Sequence, residues 1–421
     1  MIKEPYFYYK GKKFMVENIS VEEIINKVGT PAYIYSSNFF KEQLSLLRAA
    51  FQEVSNIICF SLKVCHNINV IKFFVNNGCG LDIVSGGELF RALKSGVDPK
   101  KVVYSGVAKT EQEIKEAINA DILMFNVESE DELGRINQIG NSLNKKVPIA
   151  IRVNPNIDAK THPYITTGMR KNKFGIDHEL VLPVYRKAND MKNIEVIGID
   201  CHIGSQLLDV MPYHEASRII ASYVKTLRDE GIQIKYVDMG GGLGIPYKED
   251  DPVVSCKEYA KAITEPFSDI PDLTFILEPG RFLTAQGGIL VTRVQYIKEN
   301  SAKKRFVIVD TGMHHLIRPS LYHGFHGVVP VERKSNKKIK VDVVGPICES
   351  TDFLAKEYLL EEVFQNDLLA ITDTGAYGIV LSSYYNSHPS PVEVLVNGAD
   401  FKIIRKRGTY KDMLINEINT E

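Results

Sequence analysis

The sequence predicts a (β/α)8 TIM-type barrel and a C-terminal all-β domain of the β-sandwich or barrel kind, which the N-terminal segment completes. Two patterns support this fold. Between about residues 57 and 278, short apolar runs alternate with helical patterns, and the C-terminal third consists of β-rich runs separated by turns. The chain has 421 residues, 44% of them hydrophobic, which is more than one ordinary domain needs.

The barrel prediction depends on eight apolar runs that read as buried parallel strands. They are residues 58–63, 81–84, 102–105, 122–126, 148–153, 196–202, 235–239 and 274–278. The segments between them are amphipathic, and Thr110-x-x-Glu113 and Ser129-x-x-Glu132 match the capping box that begins a helix. An open doubly wound sheet is the alternative, but eight β/α steps favour the closed barrel of about 250 residues.

The all-β domain is predicted from strand-like runs at both ends of the chain. The C-terminal runs are residues 292–300, 304–310, 338–345, 367–372 and 392–407, and the N-terminal ones are residues 7–16 and 32–36. Because the N-terminal runs precede the first barrel strand, we expect them to complete this domain. The predicted boundaries are 38–285 for the barrel, and 1–37 with 286–421 for the β-rich domain.

The composition favours an enzyme of small molecules. Lys and Arg total 51 against 52 Asp and Glu, and a net charge of −1 provides no field for attracting nucleic acid or a membrane. Two basic stretches, 332–340 and 405–408, are interpreted as solvated hairpin turns. The six cysteines lack metal-finger spacing, and the N-terminus lacks the apolar core of a signal peptide, so we expect a cytoplasmic protein.

Polar residues follow the apolar runs where a barrel enzyme places its chemistry. Lys63 ends the first run. It either marks the point where the strand leaves the core, or it is a desolvated amine that attacks a carbonyl. His202 ends the sixth run, where it could be a core histidine, a metal ligand or a ring that stacks on an aromatic cofactor. Ser205, three residues later, could donate to a phosphate.

Two further strand ends point to a phosphorylated cofactor. Gly240, Gly241 and Gly242 follow the seventh run, and their bare amides could approach an anion, although a tight turn alone would also explain them. Glu278 follows the eighth run and could hold a proton on a pyridine nitrogen, or it could pair with Arg281. A lysine, a flat ring, a glycine loop and a carboxylate at four strand ends together favour a pyridoxal cofactor.

The chain resembles the diaminopimelate decarboxylases, which are alanine-racemase-like, fold-type III pyridoxal-phosphate enzymes. The resemblance extends nearly end to end and rests on several motifs in order. They are FSLKVCHN around Lys63, LDIVSGGEL (81–89), HPYITTG (162–168), NKFGI (172–176), CHIGSQ (201–206), MGGGLGIPY (239–247), EPGR (278–281), LIRPSLY (316–322), GPICES (345–350) and GAYG (375–378).

The resemblance implies a role for each matching residue. Lys63 would carry pyridoxal 5'-phosphate, and Cys348 would be the acid that returns a proton. The implied cofactor-binding residues are Lys63, His202, Ser205, Gly240, Gly241, Gly242, Glu278, Gly280, Arg281 and Tyr377. The implied substrate-binding residues are Arg281, Arg318, Tyr322, Glu349 and Tyr377. Two arginines and a glutamate suit a substrate end that bears both a carboxylate and an ammonium.

The implied reaction is decarboxylation of meso-diaminopimelate at its D-centre to L-lysine, the last step of lysine biosynthesis, in a homodimer whose subunits share active sites. The alternatives are a paralogue acting on another basic or carrier-bound amino acid, and an inactive homologue that binds a partner. The chain departs from the family pattern at His314 and His315. Together with His323 and His326 they form a local cluster, which we interpret as exposed loop histidines rather than a metal site.

Overall fold

The computed structural model describes residues 2–157 and 172–418, and its largest feature is a closed barrel of parallel strands. Each strand pairs with the next along the chain, and the eighth pairs with the first through Phe275 and Asn56, so the sheet has no open edge. The predicted barrel is confirmed and the open sheet is excluded. The eight strands, numbered here in chain order, are Asn56–Ser61, Gly80–Ile83, Val102–Tyr104, Met124–Val127, Val147–Asn154, Ile194–Asp200, Tyr236–Asp238 and Thr274–Leu277.

Helices precede, connect and follow the barrel strands. They are Ser37–Ala50, Ile68–Asn76, Gly86–Ser95, Glu111–Ala120, Glu130–Ser142, Val181–Asn189, Met211–Asp229, Cys256–Thr264 and the short Arg281–Thr284. The capping box at Thr110 is complete, with Glu113 bonded back to the cap. The box at Ser129 is half formed, because the Glu132 carboxylate instead accepts from the Glu128 N–H and from Lys109.

The β-rich part of the chain contains a nine-stranded sheet and a three-stranded sheet. Ala32–Ser36 lies inside the larger sheet, between Gly288–Glu299 and Val392–Asn397, so the N-terminal segment does complete this sheet. Its other strands are Arg305–Val309, Val328–Pro330, Lys338–Val344, Phe353–Glu361, Leu368–Ile371 and Asp400–Arg405. The three-stranded sheet comprises Phe7–Lys10, Lys13–Val16 and Ile19–Ser20, and three helices complete the region: Val21–Val28, Arg318–Tyr322 and Tyr410–Met413.

The basic stretches are not hairpin turns, which corrects the interpretation from sequence. Residues 332–340 join two strands that pair with different partners rather than with each other. Their charges are neutralised locally, because Arg333, Lys334 and Lys337 form ion pairs with Glu361, Asp367 and Glu362. Residues 405–408 begin at the last residue of the final strand and lead to the final short helix.

The chain divides into two compact units. The barrel unit comprises Ser45–Ile245 and Pro252–Phe282, and the β-rich unit comprises Met1–Leu44, Pro246–Asp251 and Leu283–Glu421. Among the described residues, no helix combines the length and the apolar composition needed to cross a membrane.

The strand Ala32–Ser36 packs into the core of the β-rich unit, and Ile34 tests its importance. Ile34 is fully buried in a cluster with Ile289, Val291 and Val394. Ile34→Ala should lower the free energy of unfolding by about 2–5 kcal/mol, because it leaves a cavity between two paired strands. Urea denaturation measures this loss. The control Ile403→Ala, at a strand position that is 53% exposed, should change it by no more than about 0.5 kcal/mol; an equal loss in both variants would contradict the assignment.

Candidate active site

Lys63 lies in a short 3-10 turn, Leu62–Val64, which follows the first barrel strand. Its Nζ donates to Asp82 Oδ2 over 2.6 Å, and the Ser61 hydroxyl donates to the same oxygen over 2.6 Å. Asp82 lies on the second strand and is fully buried. The lysine side chain is therefore held by a carboxylate at the mouth of the barrel.

Asp82 is a site residue that the sequence analysis missed. It stands inside a short apolar run, where a single carboxylate does not disturb the strand pattern. Its second oxygen, Oδ1, is buried and has no hydrogen-bond partner among the residues that the structure describes. Because an unsatisfied buried acceptor costs about 1–3 kcal/mol, this atom suits a hydrogen-bond donor supplied by a bound molecule.

His202 is an uncharged ring two residues beyond the sixth strand. The Gly241 N–H donates to its Nδ1 over 3.1 Å, which requires a lone pair on that nitrogen. Burial lowers the pKa of His202 well below its usual range, and the charges of Arg152 and Lys63 lower it further. A neutral, flat imidazole that is fixed by a backbone amide is suited to stacking on an aromatic ring.

The glycine run after the seventh strand has no room for side chains. Gly240 and Gly242 have φ angles of +64° and +94°, which side-chain-bearing residues rarely adopt. A Cβ on Gly241 would lie 2.1 Å from the Glu278 carbonyl oxygen, and one on Gly242 would lie 2.4 Å from the Gly204 carbonyl oxygen. The missing side chains let the loop backbone pack tightly against its neighbours, while the Gly240 and Gly241 N–H groups bond to Asp238 and His202.

A cation and a hydroxyl stand beside each other in the barrel unit. The Arg281 Nη2 donates to the Ser205 Oγ over 2.9 Å, and Arg281 is only 7% exposed although it begins a short helix. A guanidinium and a hydroxyl side by side form a donor set that suits a phosphate.

Glu278 is a buried acid among other acids. Burial raises its pKa well above the usual range, and the nearby Asp238 and Asp82 raise it further. Burial also raises the pKa of Asp238 to about 6, although Asp238 accepts hydrogen bonds from the Gly240 N–H and the Asn126 amide. A positively charged ring nitrogen beside Glu278 would relieve this repulsion, so the pocket fits a protonated pyridine.

Arg152 contributes a second buried cation that sequence reasoning did not identify. Its Nη1 donates to Glu128 Oε1 over 2.6 Å, and its Nε lies 3.8 Å from Asp200 Oδ2. The guanidinium lies 4.8 Å from the centre of the Phe174 ring. The sequence did contain a signal for it, an arginine in an otherwise apolar strand. A buried arginine must be paired, so such a residue indicates a nearby carboxylate.

The residues assigned to the substrate by resemblance lie in the β-rich unit, apart from Arg281. Arg318 is buried, and Tyr322 ends the same short helix. Cys348 is exposed, and its backbone N–H donates to Asn386 Oδ1 over 3.0 Å.

Glu349 and Tyr377 are the other two such residues in this unit. Glu349 accepts hydrogen bonds from Thr351 over 2.9 Å and from Tyr385, and the bond from Tyr385 lowers the pKa of Glu349. Tyr377 has a φ of +56°. The motif at 162–168 lies outside the described residues.

The interpretation of the histidines as one exposed cluster is wrong. His314 and His315 are buried with ring centres 3.7 Å apart, and His388 lies 4.8 Å from His314. Burial lowers the pKa of His314 to about 2 and of His315 to about 4, so both rings are neutral. His326 is buried beside Arg318, and only His323 among the predicted four is exposed. In the described part of the chain, no group of three or more potential ligands is arranged for a metal.

Comparison with known proteins places this chain among pyridoxal enzymes. Residues 38–285 match the family described as pyridoxal-dependent decarboxylase, pyridoxal binding domain. The diaminopimelate decarboxylase of Aquifex aeolicus is 46% identical over 412 residues, which is 97% of each chain.

Two solved structures agree. Diaminopimelate decarboxylase from Helicobacter pylori, complexed with L-lysine, is 41% identical with a TM-score of 0.90 and covers 94% of this chain and 98% of its own. The enzyme from M. jannaschii, in co-complex with L-lysine, is 37% identical with a TM-score of 0.95 and covers 100% and 99%.

Gly280 tests the packing between the loop after the eighth barrel strand and the turn that carries Lys63. A Cβ there would lie 2.4 Å from Val64 Cγ1, in the turn that carries Lys63. Gly280→Ala should therefore weaken pyridoxal phosphate binding by about tenfold or more, measured by absorbance titration. Adding Val64→Ala should recover much of the loss.

The control for this steric argument is Gly134→Ala, because Gly134 has nothing within 4 Å of an added Cβ. This variant should bind the cofactor like the parent protein. Undiminished binding in Gly280→Ala, or no recovery in the double variant, would contradict the steric link.

Proposed function

The chain belongs to the diaminopimelate decarboxylase family of pyridoxal-dependent decarboxylases, and we propose that it decarboxylates meso-diaminopimelate at its D-centre to L-lysine and carbon dioxide. The observation that carries this proposal is 46% identity over 97% of the chain to an enzyme of that name. The barrel unit supports it, since its lysine, neutral imidazole, glycine loop and buried carboxylate fit pyridoxal phosphate.

Each side chain of the barrel site has a task in this reaction. Pyridoxal phosphate supplies a conjugated ring that accepts the electrons left behind by departing carbon dioxide. Lys63 would hold the cofactor covalently, and Glu278 would keep a proton on its ring nitrogen. His202 would pack against the ring and exclude water there, while Ser205 and Arg281 would bind the phosphate beside the glycine loop.

The substrate roles are part of the proposal. Arg318 binds the carboxylate of the end that does not react, with Arg281 contributing, and Glu349 binds the ammonium at that end. Tyr322 and Tyr377 contact the substrate, and Tyr377 also contacts the cofactor. Cys348 returns a proton to the carbon that has lost carbon dioxide.

A homodimer with shared active sites is proposed from the segment that holds Cys348 and Glu349. Both side chains are exposed in the single chain. A thiol that protonates a reactive carbon needs an enclosed site, because water would otherwise compete for the same carbon. This requirement supports placing the segment in the active site of a neighbouring subunit.

The six cysteines support the proposed cytoplasmic location. None is joined to another in a disulfide. Free thiols are characteristic of proteins that function in a reducing compartment.

Substrate profiling together with cofactor trapping tests the reaction. The protein should release carbon dioxide from meso-diaminopimelate and little from L-ornithine, L-arginine or the L,L isomer. After incubation with pyridoxal phosphate and reduction with borohydride, peptide mapping should find the label on Lys63, and Lys63→Ala should be neither labelled nor active.

Two outcomes would support the rival functions. Robust turnover of ornithine would replace the assignment with a paralogous decarboxylase acting on another amino acid. Absence of the cofactor's yellow absorbance in the parent protein, even with added pyridoxal phosphate, would indicate an inactive homologue that binds a partner.

Mixing two inactive variants tests the shared site. Lys63→Ala and Cys348→Ser should each be nearly inactive as homodimers. Exchange of subunits between them should restore up to about a quarter of the parent activity, because half of the dimers are mixed and each mixed dimer has one intact site. Activity that stays at the level of the separate variants after exchange would place Cys348 in the same subunit's site.

A further inference from the structure

Arg318 is held inside the β-rich unit by two aromatic neighbours. It begins the short helix Arg318–Tyr322 and is 7% exposed. Its Nη1 lies 2.9 Å from His326 Nε2, and its guanidinium carbon lies 4.8 Å from the centre of the Tyr247 ring. The His326 and Tyr247 rings contact each other edge to face, with centres 5.6 Å apart. One edge and one face of the guanidinium are therefore fixed.

The hydrogen-bond partners of His326 determine where its proton lies. A guanidinium only donates, so His326 Nε2 must accept from Arg318. A carbonyl oxygen only accepts, so His326 Nδ1 must carry the hydrogen that bonds to the Thr372 carbonyl over 2.9 Å. The ring is thus neutral, with a single proton on Nδ1, and it links the arginine to the backbone of another strand end.

This arrangement suits an arginine that must bind an external anion. A guanidinium has five N–H donors in a rigid plane, and a two-donor contact with a carboxylate requires that plane to be correctly oriented. The bond to His326 engages one donor and fixes the plane without adding a negative charge.

We propose that His326 is a positioning residue that orients Arg318 for the carboxylate of the substrate end that does not react. The inference rests on the proposed function, because it takes Arg318 as the residue that binds this carboxylate. His326 itself contacts Arg318, Thr372 and Tyr247, and it affects the substrate through Arg318.

Two variants separate the two hydrogen bonds of His326. In His326→Asn the amide reaches the position of Nδ1, so it keeps the bond to Thr372 and loses the acceptor for Arg318. In His326→Gln the amide oxygen reaches the position of Nε2 and can still accept from Arg318. The matched control is His323→Asn, because His323 is exposed and has a φ of +51°, which asparagine tolerates.

The kinetic test compares two substrates that differ by one carboxylate. With meso-diaminopimelate, His326→Asn should raise KM by about tenfold while kcat changes little, and His326→Gln should recover most of the loss. D-lysine has the same reacting centre but lacks the distal carboxylate, so neither variant should change its kcat/KM relative to the parent protein. His323→Asn should match the parent protein on both substrates.

Binding of L-lysine provides a readout that does not depend on turnover. L-lysine has the carboxylate that Arg318 is proposed to bind, and two related enzymes have been crystallised with it. Calorimetry on the pyridoxal-phosphate-loaded protein should give a Kd about tenfold weaker for His326→Asn than for the parent protein. In an Arg318→Lys background, His326→Asn should add no further loss.

An unchanged KM and Kd in His326→Asn would overturn the inference. An equal loss of kcat/KM on D-lysine and meso-diaminopimelate would also overturn it, because it would indicate a general structural role. If His326→Asn does not fold, a loss in folded His326→Gln equal to that of Arg318→Lys would contradict the positioning role. Failure of the parent protein to decarboxylate meso-diaminopimelate would reject the proposed function instead, and the L-lysine measurements would still decide the role of His326.

Discussion

Closure of the eight-stranded sheet determines the chemistry of this protein, because it directs residues from distant parts of the sequence toward one axis. Lys63 and Glu278 are more than two hundred positions apart, yet their strands are neighbours across the closing pair. The same closure buries several carboxylates near one another and near two cations. The carboxylates are Asp82, Asp200, Asp238 and Glu278, and the cations are Lys63 and Arg152.

This crowding of acids has a direct electrostatic consequence. Burial, together with mutual repulsion, raises the pKa of Asp200 and Glu278 well above the usual range. Such a site is destabilised until it gains positive charge or hydrogen-bond donors. A cofactor with a protonated ring nitrogen supplies positive charge. The repulsion among the carboxylates and the affinity for such a cofactor therefore have the same physical origin.

The sequence predicts most of the fold because hydrophobic runs and caps are local signals. All eight barrel strands were identified, and so was the incorporation of Ala32–Ser36 into the distant sheet. The strands Val328–Pro330 and Phe353–Glu361 were not predicted, since one is very short and the other alternates poorly between buried and exposed positions. The basic segment 332–340 was predicted to be a hairpin turn, but the strands on either side of it pair with different partners. The local sequence does not specify which strands pair.

The site was less predictable, because pairing and burial depend on the tertiary fold. Asp82 was missed because it lies in an apolar run, although it holds Lys63. The predicted histidine cluster combined residues that are close in sequence, whereas the buried cluster takes its third ring from His388, more than seventy positions away. His326 looked like a loop residue because its backbone partner, Thr372, is also distant in sequence.

The choice of histidine at 326 follows from what a buried arginine must do. An aspartate or glutamate there would also accept from Arg318, but it would neutralise the guanidinium and compete with an incoming carboxylate. A neutral imidazole accepts the same hydrogen bond without supplying a counter-charge, and its second nitrogen is held by a carbonyl group. His202 is also a neutral hydrogen-bond acceptor, but its accepting nitrogen is Nδ1, which accepts from the Gly241 amide, whereas His326 accepts through Nε2. In both units a neutral histidine fixes geometry where a carboxylate would alter the charge that binding requires.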